Sequence, residues 1–308
     1  GNTIRQEVEP LTDYGAIRVQ KDINQGQSGF GLIGTGVFRN LQNEPLRDIL
    51  HRNALALAFD GWHFLDKMRD WVLGGWFGGT RVEGSPADIL ALQLSSMHYY
   101  QRPDADYVRV NPNATSLSGW GGKFSLAKQQ GKFLFIADIG VLSPGFDPND
   151  MGFQHAMSDI INLDIVPAYQ WTKPGKVFRN AMVFGGVFRN YDFGSNINWQ
   201  GFLLALQGQF LNYWRFETLF AYNPETLSKN LTRGGPLALT PSGYQFNLNL
   251  ESDSRKPVVI EGFGTYCRRP GSGAELFSEL AVRWKPRSNI SLSFGPQYAF
   301  EKSEIQWV

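Results

Sequence analysis

The residue types that most often carry catalysis or bind metals are few and scattered in this sequence. Cys267 is the single cysteine, so neither an intrachain disulfide nor a site built from several thiolates can form. The histidines are His51, His63, His98 and His155, and no two of them stand four residues apart, as a two-histidine metal motif on a helix requires. No Gly-x-Ser-x-Gly motif occurs. We therefore predict isolated histidines, no catalytic residues, no metal ligands and no cofactor, and we expect that the protein is not an enzyme.

Three short motifs resemble functional signatures, and each has a simpler explanation. Gly29-Phe-Gly31-Leu-Ile-Gly34 matches the dinucleotide fingerprint, but that motif needs a following helix, and here a strand pattern continues, so we expect the glycines to relieve crowding on a curved wall. Asp147-Pro-Asn149-Asp150 lacks the full set of calcium ligands, which favours an ordinary turn. Glu275 and Glu279 share a strand face, yet their Cα atoms would lie about 13 Å apart, too far for a catalytic pair.

The elements that would position a site are indicated by strict alternation of apolar and other residues, the pattern of a β-strand with two different faces. About fourteen such segments occur, many of them longer than the roughly five or six residues usual in soluble domains. We predict that their apolar positions face lipid. These positions include Leu55, Leu57, Phe59, Phe133, Phe135, Tyr244, Phe246, Leu248, Leu250, Ile290, Leu292 and Phe294.

Polar residues occupy the alternate positions, and we predict that they line a wet interior. The candidates are Asp60, Lys123, Asp138, Asn162, Asp164, Arg215, Glu217, Gln245, Asn247, Asn249, Glu251, Glu279, Arg283 and Glu301. Neither sign of charge dominates among them, which argues against a channel with strong ion selectivity. The alternative, that any one of them is a paired or solvent-facing group without a specific role, stays open.

The connections between the segments alternate in length. Short polar turns are predicted at 24–27, 66–70, 129–132, 172–176, 211–213, 252–256 and 286–289. Longer connections fall mostly between them, at 41–52, 84–113, 143–154 and 223–240. This alternation is typical of a membrane barrel with tight periplasmic turns at one end and extracellular loops at the other, and a β-sandwich has no reason to keep it.

Aromatic residues lie close to several of the short turns, as in the Trp and Tyr belts at a membrane interface. They are Trp62, Trp71, Trp171, Tyr213, Trp214 and Trp284. The longest connection, 84–113, contains a segment that could form a short helix after Ser85 as its N-cap. We expect this loop to fold over the mouth of the barrel or to plug it.

Bulk properties exclude other classes. The net charge of +1 gives no electrostatic case for nucleic acid, and no apolar stretch is long enough for a spanning helix. Residues 1–10 are polar and charged, so we expect the sequence to start at a mature or truncated end. A composition of 42% hydrophobic and 14% aromatic residues with 34 glycines suits many strands and turns.

An ordered series of motifs resembles a family of large, uncharacterised outer-membrane β-barrels, usually found behind a domain similar to family 9 carbohydrate-binding modules. The motifs are VEPLTDY at 8–14, GSP at 84–86, YQRPD at 100–104, SPGF at 143–146, NDMGF at 149–153, QFLNY at 209–213, LTRGGP at 231–236 and SDSRKP at 252–257. The resemblance covers almost the whole chain. It implies a Gram-negative outer-membrane location and handling of glycans or other envelope material, and it carries over no catalytic residues.

The fold class we predict is all-β, an antiparallel transmembrane β-barrel with long extracellular loops, in which residues 1–308 form one domain. The segment resembles a fragment that lacks the N-terminal module and the early strands of the family, and further strands would complete the barrel. We expect passage or surface binding of envelope-associated or glycan-like solutes, or alternatively a non-conducting anchor whose loops bind a partner or glycan. An outer-membrane lipase or protease is a third, weaker hypothesis. The expected partners are outer-membrane lipid, a glycan or small solute, and outer-membrane or periplasmic proteins, without nucleic acid.

Overall fold

The computed structural model describes residues 8–42, 44–152, 154, 157–269 and 273–304. Within them the chain is almost entirely β-structure with two short helices, α1 (Glu44–Arg47) and α2 (Pro86–Leu94). The strands are β1 (Leu11–Ile23), β2 (Ser28–Asn40), β3 (Asn53–Phe64), β4 (Trp71–Glu83), β5 (Ser116–Lys128), β6 (Phe133–Leu142), β7 (Ile160–Trp171), β8 (Phe178–Tyr191), β9 (Ile197–Phe210), β10 (Arg215–Asn223), β11 (Thr226–Ser228), β12 (Ala238–Thr240), β13 (Gly243–Glu251), β14 (Val258–Arg269), β15 (Gly273–Arg287), β16 (Ile290–Phe294) and β17 (Gln297–Ser303).

Fifteen of the described strands form one antiparallel sheet in which neighbours in sequence are neighbours in space. The exception is β10, which pairs with β13 because β11 and β12 form a small separate hairpin within the connection. Both β16 and β17 pair with β15, so they are two parts of one strand that is interrupted at Gly295 and Pro296. The described sheet therefore has fourteen strand positions, in agreement with the number predicted from the alternation.

The register gives the sheet two chemically different faces. Residues directly opposite each other on neighbouring strands share a face. Asp60 is opposite Trp76, Trp76 opposite Lys123, Lys123 opposite Gly140 and Gly140 opposite Asn162, so these residues lie on one face across five strands. We call the side that carries Asp60, Lys123 and Asn162 the polar face, and the opposite side, which carries Leu57 and Phe59, the apolar face. The predicted alternation thus extends coherently across the sheet.

The apolar face has no protein cover in the part of the chain that the structure describes. Side chains on it remain strongly exposed, for example Leu57 at 51%, Phe59 at 59% and Val187 at 54%. Contacts between elements join neighbouring strands, with β11 against β9 and α2 against β5 in addition. No second sheet packs on this face within the described ranges, so the chain is not a β-sandwich there.

The two lateral edges of the sheet do not pair with each other among the described residues. On one side β1 pairs with β2 alone, and on the other β16 and β17 pair with β15. The described sheet is therefore open, with a row of backbone donors and acceptors at each edge.

The four long connections all lie at one end of the sheet, as predicted. One end, which we call the turn end, has connections of at most six residues, at 24–27, 65–70, 129–132, 172–177, 211–214, 252–257 and 288–289. The other, the loop end, has the long connections at 41–52, 84–115, 143–159 and 224–242, together with a five-residue connection at 192–196.

One residue of the predicted aromatic belt is wrongly placed. Trp62 lies on the polar face, where it pairs with Gly29 and Gly74, and its indole donates to the carbonyl of Gly26 at 3.4 Å. Its ring covers Gly29, at which a Cβ would lie 2.2 Å from the indole, so only glycine leaves room for it. The reason is parity: Trp62 is an even number of residues from Asp60, so both point to the same side.

The predicted helix in the longest loop is present as α2. Ser85 is its N-cap, and the hydroxyl accepts from the backbone nitrogen of Asp88 at 3.2 Å. Ile89 on α2 is fully buried in a cluster with Val37 and Val82. Because Val37 and Val82 lie on the same side of the sheet as Asp60, α2 packs against the polar face at the loop end.

Replacing Ile89 by alanine is expected to loosen α2 from the sheet. Removal of a fully buried isoleucine side chain costs about 2–5 kcal/mol, so amide hydrogen exchange over residues 86–94 should accelerate by more than tenfold. Leu94→Ala, at an exposed position near the end of the same helix, is the matched control and should change little. Unchanged exchange in Ile89→Ala would show that α2 is not held by this contact.

Candidate functional site

Every residue predicted to line an interior lies on the polar face, from Asp60 on β3 to Glu301 on β17. The residues predicted to face lipid lie on the apolar face, from Leu55 to Phe294. The register thus separates the two sets. Contact of one set with a water-filled lumen and of the other with lipid stays a prediction.

Several charged groups on the polar face are paired with neighbours of opposite sign. Arg18 binds Asp60 through both terminal nitrogens, one of them at 2.8 Å. Lys123 lies 2.7 Å from Asp138. A larger ladder crosses four strands at the turn end. In it Arg215 lies 3.7 Å from Glu251, and Arg283 lies 3.7 Å from Glu251 and 2.5 Å from Glu261. Other acids on this face make no ion pair in the described sheet, among them Glu217, Glu279 and the directly opposed Glu275 and Glu301, so pairing covers only part of its charge.

Neutral amide and hydroxyl groups occupy much of the remaining polar face. Asn162 donates to Asn190 at 2.7 Å, and Asn247 accepts from Gln245 at 3.0 Å and from Thr265 at 2.7 Å. A groove of about 520 Å³ toward the turn end is lined by further groups of this kind. They are Gln170, Thr172, Asn180, Gln207 and Gln209, beside Arg215 and Glu217. Such a surface can hydrogen-bond the hydroxyl groups of a neutral polar solute.

Four connections, three of them long, meet in a buried ionic cluster at the loop end, formed by Arg102, Tyr107, Asp159, Asp192 and Lys229. The hydroxyl of Tyr107 donates to Asp159 at 2.7 Å and accepts from Arg102 at 2.8 Å. Arg102 also lies 3.3 Å from Asp159 and 3.6 Å from Asp192. Lys229 donates to the backbone carbonyl of Asp159 at 2.5 Å and lies 3.4 Å from its carboxylate. Two cations and two anions balance, which burial of charge requires.

Burial also changes the proton affinity of the cluster. Desolvation lowers the pKa of Lys229, and the neighbouring Asp159 only partly opposes this effect. Desolvation together with the charge of Asp159 raises the pKa of Tyr107, so its phenol keeps its proton and acts as the donor. The cluster therefore serves as a joint between loops, because most of its polar atoms are bound to one another, although Nη1 of Arg102 is buried without a partner among the described residues.

A second joint links α2 to connections 41–52 and 143–159. His51 bonds through Nδ1 to Asp88 at 2.9 Å, while its Nε2 lies 3.9 Å from Asp150, and Arg39 lies 2.6 Å from Asp150. Burial disfavours the charged imidazole, but the hydrogen bond to Asp88 and the charges of nearby carboxylates, including Asp147, outweigh it and raise the pKa of His51.

The third joint is the buried pair His98 and Asp147. The ring nitrogens of His98 face two acceptors, the carbonyl of Pro144 at 2.7 Å and the carboxylate of Asp147 at 3.1 Å. Desolvation works against the Asp147 carboxylate, but hydrogen bonds from His98 and Asn149 outweigh it and hold its pKa below the usual range. The motif at 147–150 is thus more than an ordinary turn, because its first residue anchors the loop.

Connection 143–159 reaches these joints by lying directly on the polar face of β5. A Cβ at Gly119 would lie 2.0 Å from the backbone nitrogen of Phe146, and one at Gly145 would lie 2.3 Å from the carbonyl oxygen of Ser118. Only glycines permit so close an approach of two backbones. We call the four connections at 41–52, 84–115, 143–159 and 224–242, with α2, the loop cap.

The prediction of isolated histidines is wrong for His51 and His98, each of which is paired with an aspartate. Their partners lie 37 and 49 positions away along the chain, so no local spacing could reveal them. His63 lies on the apolar side at the turn end, 2.7 Å from the hydroxyl of Ser28. His155 lies outside the described residues.

The described residues contain no group of three or more His, Cys, Asp or Glu side chains that could hold a metal ion. None of the helices in the described ranges has the length and apolar character needed to cross a membrane.

Comparisons with known proteins identify a family and a distant structural neighbour. Residues 84–308 match the family described as Domain of unknown function (DUF5916). The chain is similar to the ferric yersiniabactin uptake receptor FyuA from Yersinia pestis, with 10% identity, a TM-score of 0.42 and coverage of 95% of this chain. The matched part is 52% of that receptor, so this chain spans about half of its length, and likeness at this level says nothing about function. No curated protein matches the sequence.

Closure of the loop cap is expected to weaken as the pH rises. A histidine whose pKa is raised on folding stabilises the fold fully below its unfolded value of about 6.5, and this contribution is lost as the pH rises through the folded pKa. Hydrogen exchange over residues 144–152 should therefore accelerate above neutral pH, beyond the chemical effect of pH, and His51→Gln should remove most of that dependence.

His63→Gln is the matched control, since His63 lies at the turn end, away from the loop cap. It should keep the pH dependence of the original protein. Equal effects of the two variants would contradict the role of His51.

Proposed function

The chain belongs to the family described as Domain of unknown function (DUF5916), and we propose that it forms the wall of an outer-membrane β-barrel that passes polar solutes and has no catalytic activity. Its polar face lines the passage and the loop cap controls access at the loop end.

The uncovered apolar face is the observation that carries the proposal. Removing one large apolar side chain from water is favourable by about 1.5–3 kcal/mol, and this face has dozens of apolar residues in continuous rows. Soluble proteins rarely leave so large a patch exposed. Hydrocarbon around the sheet would remove all of these apolar rows from water. Long strands and an alternation of short turns with long loops are also typical of membrane β-barrels.

The same hydrocarbon surroundings require that the barrel wall be closed. An unpaired strand edge in hydrocarbon leaves several polar backbone groups without partners, at several kcal/mol each. The edges at β1 and at β16 with β17 are unpaired in the described residues. We propose that further strands of the same polypeptide close the barrel.

The interior supports neutral polar solutes better than ions. Several of its charges are paired, and amide and hydroxyl groups such as Asn247, Gln207 and Gln209 are available on the same surface. This chemistry fits glycan-like molecules, in line with the resemblance to barrels that follow a family 9-like carbohydrate-binding module. We propose that such a module delivers envelope glycan to the barrel.

The loop cap is the proposed gate because α2 and connection 143–159 both lie on the polar face at the loop end. Three joints between distant loops hold it closed. A solute can pass only where these loops separate or leave a gap.

Gly119→Ala tests the gate. A Cβ there collides with the backbone at Phe146, so the cap should lift and the influx of neutral sugars into proteoliposomes should increase severalfold in a swelling assay. Gly262→Ala is the matched control, because a Cβ at Gly262 meets nothing within 4 Å. Single-channel conductance should rise in the first variant alone.

Flux that stays at the level of empty liposomes in the original protein and in Gly119→Ala would contradict passage. It would favour a second function, a filled membrane anchor whose loops bind a partner or glycan. The ion pairs on the polar face support this alternative. In that case deletion of residues 86–113 should abolish retention on immobilised glycan or partner and leave the barrel folded and non-conducting.

A further inference from the structure

The turn end carries exposed cations without compensating acids. Lys67, Lys132, Lys173 and Lys176 project from three successive turns, and their ammonium groups make no ion pair or hydrogen bond in the described part of the chain. Similar exposed cations follow at Lys256 in a later turn and at Lys285 and Arg287 at the end of β15. The turn end therefore carries a row of cations that have no acid partner in the described part of the chain.

The acids near these turns are already occupied. The carboxylate of Asp66 accepts from the backbone nitrogens of Asp70 and Trp71, which lowers the pKa of Asp66. Asp253 pairs with Arg255 at 2.7 Å, and that bond lowers the pKa of Asp253 to about 2. Asp70 lies 3.6 Å from Lys128. Asp70 and Asp253 are therefore each paired with another cation, whereas Asp66 keeps its negative charge beside Lys67 and is held by backbone nitrogens rather than by an ammonium group.

A cluster of aromatic rings lies on the apolar face beside the same turns. The cross-strand pair Phe133 and Tyr169 stands at its centre. The rings of Tyr169 and Trp171 are 4.7 Å apart, and those of Trp71 and Phe135 are 6.2 Å apart. Such rings prefer the boundary between hydrocarbon and headgroups.

The lysines continue the chain directly beyond these rings. Lys132 precedes Phe133, Lys173 follows Trp171 by two residues, and Lys67 lies in the turn that ends at Trp71. If the rings lie at the boundary, the ammonium groups reach the level of the phosphates. We call Lys67, Lys132, Lys173 and Lys176 with Trp71, Phe133, Phe135, Tyr169 and Trp171 the basic aromatic patch.

The loop end offers a contrast. Trp120 is exposed on the apolar face near that end, and the arginines of the neighbouring strands are matched by acid: Arg81 pairs with Glu83 at 2.7 Å, and Arg52 lies 3.7 Å from Glu83. Exposed arginines without an ion pair to a described residue also occur at the loop end, at Arg268 and Arg269, but the turn end combines such cations with the cluster of rings described above.

We propose that the basic aromatic patch binds the phosphate groups of anionic phospholipids in the leaflet at the turn end. The inference rests on the proposed function in one respect, the location of the apolar face in a bilayer. The lysines supply compact charges that attract phosphate, and the rings fix the depth at which those charges lie. Screening by salt weakens the attraction, because the ammonium groups are exposed.

The test compares lipid retention by the intact protein. Protein released from mixed micelles of phosphatidylglycerol and phosphatidylcholine is examined by native mass spectrometry, and the ratio of retained lipids is measured. The original protein should prefer phosphatidylglycerol. Lys173→Gln/Lys176→Gln should reduce that preference at least tenfold, since each lysine at an anionic surface contributes about fivefold.

The matched control is Arg47→Gln/Arg52→Gln, which removes the same charge from the loop end and should leave the preference unchanged. Equal retention of the two lipids by the original protein, or an equal loss in both double variants, would overturn the patch assignment. So would capture of an acidic periplasmic protein through these lysines without any lipid preference. Failure of the original protein to insert into bilayers would instead refute the proposed function.

Discussion

The removal of one apolar sheet face from water is the constraint on which the rest of this structure depends. A single antiparallel sheet has two faces, and here the described chain provides cover for part of the polar face and none for the apolar face. We propose that hydrocarbon covers it, since that medium matches rows of Leu, Ile, Val and Phe. In that setting the thickness of the apolar layer determines the strand length and the position of the rings, because the polar turns must lie outside it.

The loop cap is subject to a different constraint, because it buries charge and an unpaired buried charge is costly. Arg102, Lys229 and Asp159 of the loop cap and Asp192 of connection 192–196 balance one another, so loss of one partner should cost about 3–5 kcal/mol. Such joints hold long loops in place over the polar face, and the histidine at position 51 makes one of them sensitive to pH. The long loops thereby cover the polar face at the loop end, whereas the connections at the turn end are short, exposed and basic.

The sequence predicts those features that depend on residues close to one another in the chain. Alternation in Tyr244, Phe246, Leu248 and Leu250 predicts the strand and its faces, because side chains repeat every two residues. The serine at position 85 predicts the start of α2, since an N-cap acts within one turn. Trp62, by contrast, was assigned from its nearness to a turn without regard to parity, and the pairs of His51 and His98 join loops far apart in sequence. The hairpin of β11 and β12 is likewise too short for a periodic signal. Loop assembly depends on the fold as a whole.

Site-directed spin labelling along β3 in lipid bilayers tests the central claim most directly. With Cys267 replaced by serine, single cysteines at Leu55, Leu57 and Phe59 and at Ala56 and Ala58 carry the label, and collision with oxygen and with a water-soluble nickel complex is measured. Labels at 55, 57 and 59 should collide readily with oxygen and poorly with nickel, and labels at 56 and 58 should show the reverse. Equal nickel access at all five positions, or a protein that stays folded and monomeric without detergent or lipid, would contradict the assignment of the apolar face to hydrocarbon.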